Sequence, residues 1–332
     1  MSLSPKVLEL DGDHEVERIC GMLRDACARQ LRRRGLVVAT SGGIDSSVCL
    51  ALAVRAVGRE RVLALVLPER DSSESSAHRA NILARHLGVS QVTHDIAPTL
   101  EAIGCYRWRD EAYRRALPEY GEGWRSKIVI KGGIEGRINH FVLVAQSPDG
   151  STREVRLGVS EYLQIVAATN FKQRIRKTLE YFHADRLNYA VVGTPNRLEY
   201  DQGFFVKNGD GSADVKPIAH LYKSQVYFLA RHMGLPAEVC AAIPTTDTYS
   251  LPQGQDEFYF ALPYAQMDLA LWALNHGRPA GELAAALGVT EAQARRVYAD
   301  IELKRRTTAY LHARPVLVEP VSELAAFAVG GH

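Results

Sequence analysis

A short stretch near the N-terminus combines glycines, hydroxyl side chains and one aspartate in a pattern that suits an anion. Residues 36–40 form an apolar run rich in β-branched residues, and residues 41–47 follow with the sequence SGGIDSS. Glycines let the backbone come close to a phosphate, and the first turn of a helix presents free N–H groups and the positive end of its dipole. The pattern predicts a phosphate-binding turn between a buried strand and a helix. Helix capping by the serines and the aspartate is the structural alternative.

Asp45 indicates which kind of phosphate chemistry suits this turn. The turn lacks the lysine of GxxxxGK[ST], which holds β- and γ-phosphates, and it does not follow GxGxxG. A bare carboxylate beside a triphosphate would repel it, whereas magnesium typically binds one or two carboxylates together with phosphate oxygens. The sequence therefore favours a nucleotide site in which Asp45 holds Mg²⁺, and it disfavours transfer of a γ-phosphate.

The elements around this turn alternate between strands and helices. Strands are expected at 36–40, 62–68, 91–96 and 187–193, and helices at 14–34, from the turn to 56, and at 75–87, 98–116, 161–183 and 221–233. Such alternation indicates an α/β fold with a doubly wound, Rossmann-like parallel sheet. Residues 121–160 instead predict an inserted antiparallel β excursion, and residues 258–306 a helical C-terminus. We expect a single domain over 1–332, with 105–160 as an insertion within it.

The overall composition excludes several classes of protein. The 332 residues include 46% hydrophobic and 23% charged residues, which is typical of a globular chain. The net charge of +2 gives no strong case for binding to nucleic acid or a membrane surface. The five cysteines are scattered and never spaced as CxxC, so neither a disulfide framework nor a zinc site is expected. No signal peptide or membrane-spanning run is visible, and we expect a cytoplasmic protein.

A second group of motifs lies in the C-terminal half. Residues 193–200 have the sequence GTPNRLEY, 203–214 have GFFVKNGDGSAD, 221–226 have LYKSQV and 244–247 have PTTD. Together with SGGIDSS, this ordered set is similar to the NAD synthetase family of the N-type ATP pyrophosphatases, whose fold is adenine nucleotide alpha hydrolase-like. The resemblance covers nearly the whole chain except residues 105–160. The order of the motifs is specific, although no single motif is.

The resemblance implies a role for each matching position. ATP would be bound by Ala39, Thr40, Ser41, Gly42, Gly43, Ile44, Ser46, Thr194, Lys223 and Thr245. The dinucleotide substrate would be bound by Asn170, Arg174, Lys207, Asp214 and Lys304. Mg²⁺ would be held by Asp45 and Glu199, and the catalytic residues would be Asp45, Lys223 and Asp210. Taken alone, Glu199 would more often be a surface carboxylate. A solvated lysine is an equal alternative for Lys223, and a turn is the alternative for Asp210 and Asp214.

The same resemblance implies an ammonia-dependent ligase that forms a C–N bond. The carboxylate of nicotinic acid adenine dinucleotide (deamido-NAD) would be adenylated by ATP and then attacked by ammonia, which gives NAD, AMP and pyrophosphate. The motifs occupy the length of the chain and leave no room for a glutaminase domain. We therefore expect free ammonia, or ammonia handed over by a glutaminase partner, and a homodimer as in the family.

Three positions depart from the family pattern. Ile44 replaces a glutamine, Leu303 replaces a histidine, and Val66 stands where an arginine near ATP is expected, for which Arg70 could compensate. The 105–160 insertion is also longer than the usual connection and directly precedes the predicted substrate helix. These departures leave open an amide ligase of the same superfamily that acts on a different carboxylate.

A nucleic-acid-binding protein is the alternative from another class. Residues 282–298 resemble a helix-turn-helix, which places its second helix in a major groove. That helix carries acidic residues beside its arginines, and this opposes phosphate binding. A helical hairpin packed in a core or a subunit interface is favoured instead. The basic runs at 32–34, 107–109 and 304–306 are expected to be solvated faces.

Overall fold

The centre of the fold is a sheet of four parallel strands. In the computed structural model, which describes residues 3–131, 140–242, 248–254, 259–260 and 262–321, the sheet order is β3-β2-β1-β7. These strands are β1 Leu36–Ala39, β2 Val62–Val66, β3 Ser90–Thr93 and β7 Ala190–Val192. All three pairings are parallel. The sheet confirms the predicted doubly wound, Rossmann-like architecture.

Helices cover both faces of this sheet. The described helices are α1 Gly12–Asp25, α2 Ile44–Val57, α3 Glu74–Leu87, α4 Ala97–Ala102, α5 Cys105–Ala116, α6 Val159–Leu187, α7 Arg197–Gln202, α8 Lys223–His232, α9 Ala237–Cys240, α10 Tyr264–Asn275, α11 Ala280–Leu287 and α12 Glu291–His312. Leu36 and Val38 point to the face covered by α1, α2 and α8, whereas Val37 points to the face covered by α4 and α6. Because successive side chains alternate between faces, a strand buried on both faces has the continuous apolar sequence seen here.

Several predicted boundaries of helices and strands were wrong, and in each case the backbone conformation shows why the element ends where it does. The predicted helix 14–34 ends early, because α1 passes into a π turn over Ala26–Gln30. The predicted helix 98–116 is divided by Gly104, which has a φ of 81°. Helix α6 runs on to Leu187 and ends at Asn188 in the left-handed region, so β7 is shorter than the predicted strand 187–193.

The excursion is an antiparallel sheet of three strands, as predicted. Its strands are β4 Arg125–Lys131, β5 His140–Gln146 and β6 Thr152–Arg156, in the order β4-β5-β6. Ile128 and Leu143 pack with Tyr113 of α5 and Ile165 of α6 in one hydrophobic cluster. The excursion therefore rests on the first half of α6, the helix predicted to bind substrate. The assignment of residues 1–332 to one domain with an insertion at 105–160 stays a prediction.

The C-terminal helices form a hydrophobic cluster of their own. Buried residues of α10, α11 and α12 pack against Leu198 of α7, among them Leu271, Leu283 and Val297. This packing places α7, which follows β7, between the sheet and the C-terminal helices. Across the described ranges, none of the helices combines the length and the hydrophobicity that a membrane crossing requires.

Candidate active site

The predicted phosphate turn lies between β1 and α2. Gly42 has a φ of 71°, and a Cβ atom there would come within 2.4 Å of the Ser76 carbonyl oxygen on α3. Both requirements favour glycine. Gly43 caps α2, and its carbonyl accepts hydrogen bonds from the Ser46 and Ser47 hydroxyls at 3.1 and 2.8 Å. The strand, turn and helix thus have the arrangement that the sequence predicted.

Asp45 lies in the first turn of α2 and contacts residues from two other elements. Its Oδ1 accepts a hydrogen bond from the Asn196 side chain at 3.1 Å, and its Oδ2 forms an ion pair with Lys223. The backbone N–H of Asn196 donates to Glu199 Oε2 at 3.1 Å. Asn196 therefore binds both carboxylates that were predicted to hold a cation.

Lys223 is buried and nevertheless charged. Its side chain is 1% exposed. Burial alone would lower the pKa of this ammonium group, but the nearby carboxylates of Asp45 and Glu199 raise it above its usual range. The residue therefore supplies a fixed positive charge beside the phosphate turn, where a phosphate group would need one.

Two residues that position these groups were missed in the sequence. Asn196 begins α7 through a capping box with Glu199, and asparagine three residues before glutamate is the signature of that box. Asp268 accepts hydrogen bonds from the backbone N–H groups of Lys223 and Ser224 at 3.1 and 2.7 Å and so fixes the start of α8. Burial raises the pKa of Asp268 to about 6. In the sequence, Asp268 stands out only as a lone acidic residue within the apolar helix α10.

A large cavity of about 1010 Å³ opens in front of the phosphate turn. Thirteen of the predicted site residues line it, namely Ser41, Gly43, Ile44, Asp45, Ser46, Asn170, Arg174, Thr194, Glu199, Lys207, Asp210, Lys223 and Lys304. A smaller cavity of about 230 Å³ lies beside the turn and is lined by Ala39, Thr40, Ser41, Ser46, Thr194 and Asp210, among others. The structure thus brings the predicted nucleotide and substrate residues to connected surfaces.

Hydrogen bonds hold three of the predicted substrate residues, Arg174, Lys207 and Lys304, in place. Arg174 Nε donates to the Lys207 carbonyl at 3.3 Å, and Lys207 Nζ donates to the Tyr310 carbonyl at 2.7 Å. Lys304 Nζ donates to Asp300 at 2.6 Å and to the Tyr259 carbonyl at 2.5 Å. Burial lowers the pKa of Lys304 in spite of Asp300. These cations therefore form one wall of the large cavity.

Asp210 occupies a half-buried turn between the two cavities. Its Oδ1 accepts a hydrogen bond from the Val206 backbone N–H at 2.7 Å. Burial raises the pKa of this carboxyl group, against the opposing effects of that hydrogen bond and of Lys177. A carboxylate with a raised pKa binds a proton more readily, which suits a group that handles ammonium.

Two of the predicted residues that the structure describes, Asp214 and Gly42, line neither cavity. Asp214 is exposed and accepts hydrogen bonds from the Val191 N–H at 2.7 Å and from the Tyr181 hydroxyl at 3.4 Å, which ties its loop to β7. Gly42 packs against α3. Thr245 lies outside the described residues. The side chain of Ile44 is 2% exposed and packs into the main hydrophobic cluster, although the residue also lines the large cavity.

The positions of the arginines could not be deduced from the sequence. Arg70, the suggested replacement for the arginine missing at Val66, stacks 3.8 Å above the Tyr106 ring and lines neither cavity. Arg79 lines the large cavity instead, and its Nε donates to the Gly42 carbonyl at 3.0 Å. Arg176 lines the smaller one. Leu303 lines the large cavity and is half exposed.

A buried ion-pair cluster lies behind α6. Lys172 Nζ contacts Glu69 at 2.9 Å, Asp71 at 2.7 Å and the Thr248 carbonyl at 2.8 Å. Arg109 contacts Asp71 at 2.6 Å and is 3% exposed. The prediction that the basic run 107–109 forms a solvated face was therefore wrong for Arg109, because Asp71 and Asp110 compensate its buried charge.

Comparison with known proteins identifies the family of this chain. The model of the family described as NAD synthase matches residues 15–146 and 150–308. The chain belongs to the NAD synthase family. The NH(3)-dependent NAD(+) synthetase of Rhizobium meliloti (strain 1021) is 57% identical to it over 322 residues, which are 97% of this chain and 96% of the relative.

Two solved structures share the fold of this NAD synthase family member. The NMN synthetase from Francisella tularensis superposes with a TM-score of 0.63 at 21% identity, covering 94% of this chain and 100% of that one. The NH3-dependent NAD synthetase from Campylobacter jejuni subsp. jejuni NCTC 11168, in complex with the nitrate ion, gives 0.61 at 20% identity, covering 93% and 100%. At these identities the likeness concerns the fold.

The helix-turn-helix-like segment packs within the C-terminal hydrophobic cluster of the protein. One face of α12 packs Ala294, Val297 and Ile301 into the C-terminal cluster. Residues 300–311 of the same helix contribute to the large cavity. Arg305 pairs with Asp201 at 2.6 Å. The hairpin therefore packs in a core, as favoured in the sequence, and the continuation of α12 beyond it lines the large cavity.

Proposed function

We propose that this protein amidates deamido-NAD to NAD with ATP and ammonia, through an acyl-adenylate, and releases AMP and pyrophosphate. The observation that carries the proposal is the large cavity, which the phosphate turn, Asp45, Lys223 and the predicted substrate residues of α6 all line. Identity of 57% to a protein named NH(3)-dependent NAD(+) synthetase, over nearly the full length of both chains, supports the same reaction.

In the first step, the substrate carboxylate attacks the α-phosphate of ATP and pyrophosphate leaves. The N–H groups at the start of α2 and the hydroxyl of Ser41 are in place to bind the departing phosphates before the reaction begins. Lys223 adds a buried charge that compensates the negative charge developing on the leaving group. Donors that are fixed in advance stabilise a transition state without the cost of reorganisation.

The donor set at Asp45 and Glu199 fits Mg²⁺. Both carboxylates bind the same asparagine, and Lys223 neutralises Asp45 in this structure. Among the described ranges, no group of three or more His, Cys, Asp or Glu side chains could hold a metal ion. Two carboxylates are nevertheless the usual protein contribution to a magnesium–nucleotide site, whose other ligands are phosphate oxygens and water. When bound, Mg²⁺ would neutralise charge on the phosphates.

In the second step, ammonia attacks the acyl-adenylate and displaces AMP. Asp210 lines both cavities and carries a raised pKa, so we assign it the binding of ammonium and the uptake of its proton. The name of the close relative supports free ammonia as the nitrogen donor. A homodimer and a cytoplasmic location are part of this proposal, and a glutaminase partner that hands over ammonia is the alternative source of nitrogen.

The experiment that tests the proposal is an assay of purified protein with deamido-NAD, ATP, Mg²⁺ and ammonium. We expect NAD, AMP and pyrophosphate in equal amounts, and no AMP above background when deamido-NAD is omitted. Formation of ADP would overturn the mechanism. Because the excursion contributes Ile130 and Phe141 to the cavity, another carboxylate substrate is the second candidate. It would be favoured if deamido-NAD gave no AMP but a panel of other acids did.

A further inference from the structure

The C-terminal half of α6 carries a buried stripe of polar side chains beside the smaller cavity. Gln173, Arg176, Lys177 and Glu180 are spaced as one face of a helix, and all four line that cavity. A neighbouring stripe of α6, which includes Ile175, packs instead on a hydrophobic cluster of the central sheet. Lys177 is 5% exposed and Glu180 is 4% exposed. Apolar residues in place of a buried ion pair are often as stable or more stable, so stability alone does not explain these two charges.

Lys177 and Glu180 pair with each other within the reach of Asp210. Lys177 Nζ donates to Glu180 Oε2 at 2.6 Å, one turn farther along the same helix. Asp210 lines the same cavity, together with Ser46 of the phosphate turn. Burial raises the pKa of Glu180, Lys177 opposes this effect, and the charge of Asp210 adds to it. The three charged groups therefore influence one another around a single cavity.

In the part of the chain that the structure describes, the cations near Asp210 are bound to other acceptors. The charged side chains around its carboxyl group are those of Arg176, Lys177, Glu180 and Lys216. Arg176 and Lys216 donate to backbone carbonyls at 3.1 and 2.7 Å, and Lys177 donates to Glu180. Asp210 itself accepts a hydrogen bond from the Val206 N–H. Within these described residues, no protein cation therefore neutralises the carboxylate of Asp210.

We propose that Glu180 is a positioning residue for the ammonium step: by binding Lys177 it keeps that lysine from pairing with Asp210, whose carboxylate then stays available to ammonium. The inference rests on the proposed function, in which Asp210 binds ammonium and takes up its proton. The head of a lysine and the substrate are both ammonium groups that donate hydrogen bonds, so they compete for the same carboxylate. A cavity of about 230 Å³ has room for this small cation and several waters.

The test compares Glu180→Gln with the wild type in the assay described above. The change removes the negative partner of Lys177 at nearly constant volume, and it leaves Asp210 within the electrostatic reach of the unpaired lysine. Ammonium must then displace Lys177, so its KM should rise about tenfold or more. The kcat at saturating ammonium and the KM for ATP should change less than about twofold. The acid limb of kcat/KM for ammonium should move to lower pH, because a carboxylate paired with a cation binds its proton less tightly.

Removing the lysine as well separates this role from a merely structural one. The double variant Lys177→Met with Glu180→Gln has no lysine at this position to pair with Asp210, so its KM for ammonium should return to within about threefold of the wild type. Lys177→Met alone leaves Glu180 without its partner and should lower stability. It should not raise the KM for ammonium, and this variant tests the proposal even if Glu180→Gln does not fold.

The matched control is Glu291→Gln, which removes a carboxylate from an exposed ion pair with Arg295 on α12, away from both cavities. It should leave all kinetic constants unchanged, and thermal unfolding will verify that each variant is folded. The proposal would be overturned by an unchanged KM for ammonium in Glu180→Gln, by equal impairment of the single and double variants, or by a raised KM in Lys177→Met. Absence of AMP formation in the wild type would instead refute the proposed function.

Discussion

Lys172 offers a sharp test of how the substrate helix is held. Its side chain is 1% exposed and lies between Glu69 and Asp71, whose side chains are 0% and 5% exposed. Its third contact is the carbonyl of Thr248. The change Lys172→Met removes the charge and keeps much of the volume. It leaves Glu69 with the Tyr106 hydroxyl, at 2.9 Å, as its remaining hydrogen-bond donor in the cluster.

The expected loss of stability follows from this geometry. Removing one partner of a buried ion pair costs about 3–5 kcal/mol, because a charge is left without compensation in a region of low polarity. For a chain of this size, the thermal midpoint falls by about 1.4 °C per kcal/mol, so the midpoint should fall by roughly 4–7 °C. Urea unfolding followed by circular dichroism measures the free energy directly.

The pH dependence of this loss has a definite sign. Burial alone would raise the pKa of Asp71, but Lys172 and Arg109 lower it below its usual range. A lowered pKa in the folded chain contributes stability that is present above the unfolded pKa and is lost as the pH falls through the folded value. The difference between wild type and Lys172→Met should therefore be largest at neutral pH and shrink in acid.

The control is the same substitution in an exposed ion pair. Lys131 of β4 pairs with Glu154 of β6, and both side chains are about half exposed. Exposed pairs contribute about 0–1 kcal/mol, so Lys131→Met should change the free energy of unfolding by less than 1 kcal/mol. If the two methionine variants lost the same stability, or if Lys172→Met lost more in acid than at neutral pH, the reasoning would be refuted.

Three further predictions concern the reaction centre. Asp45→Asn should lower the rate of AMP formation about 100-fold or more, because it removes the partner of Lys223 and a proposed magnesium ligand; a rate within tenfold of the wild type would contradict this role. Asn196→Ala should lower the free energy of unfolding by about 1–2 kcal/mol through loss of the α7 cap, measured in urea. Because the pKa of Asp268 is raised to about 6, its contribution to stability is full below its unfolded pKa and is lost as the pH rises through 6. The unfolding free energy of the wild type relative to Asp268→Asn should therefore fall by roughly 2 kcal/mol between pH 4 and 7, and a constant difference would refute this assignment.

The parts of the fold that depend on neighbouring residues could be predicted. The phosphate turn needs a buried strand, two glycines and a helix start, and all three are adjacent in the chain. The parallel sheet follows from the alternation of apolar strands with helices. The antiparallel excursion was visible because residues 121–160 have strand-like sequences joined by a turn.

Contacts between distant segments could not be predicted in the same way. Arg109 and Lys172 are residue types that are usually solvated. Only the fold brings Asp71 into contact with both, and Glu69 into contact with Lys172. Arg70 and Arg79 have the same chemistry and lie nine positions apart, yet only Arg79 lines a cavity. A pattern of residue types does not indicate which basic side chains will pair with a carboxylate and which will line a cavity.

Lys223 combines several features that are unfavourable for stability, and this indicates why it is present. It begins α8, where the positive end of the helix dipole opposes a cation, and it is almost fully buried. Asp268 binds the first N–H groups of the helix, and Asp45 and Glu199 hold the ammonium group in its charged form. Three carboxylates thus offset the unfavourable position of one buried cation at the start of a helix. Such a conflict between local preference and global structure is expected at a functional site, and here it keeps a positive charge ready beside the phosphate turn.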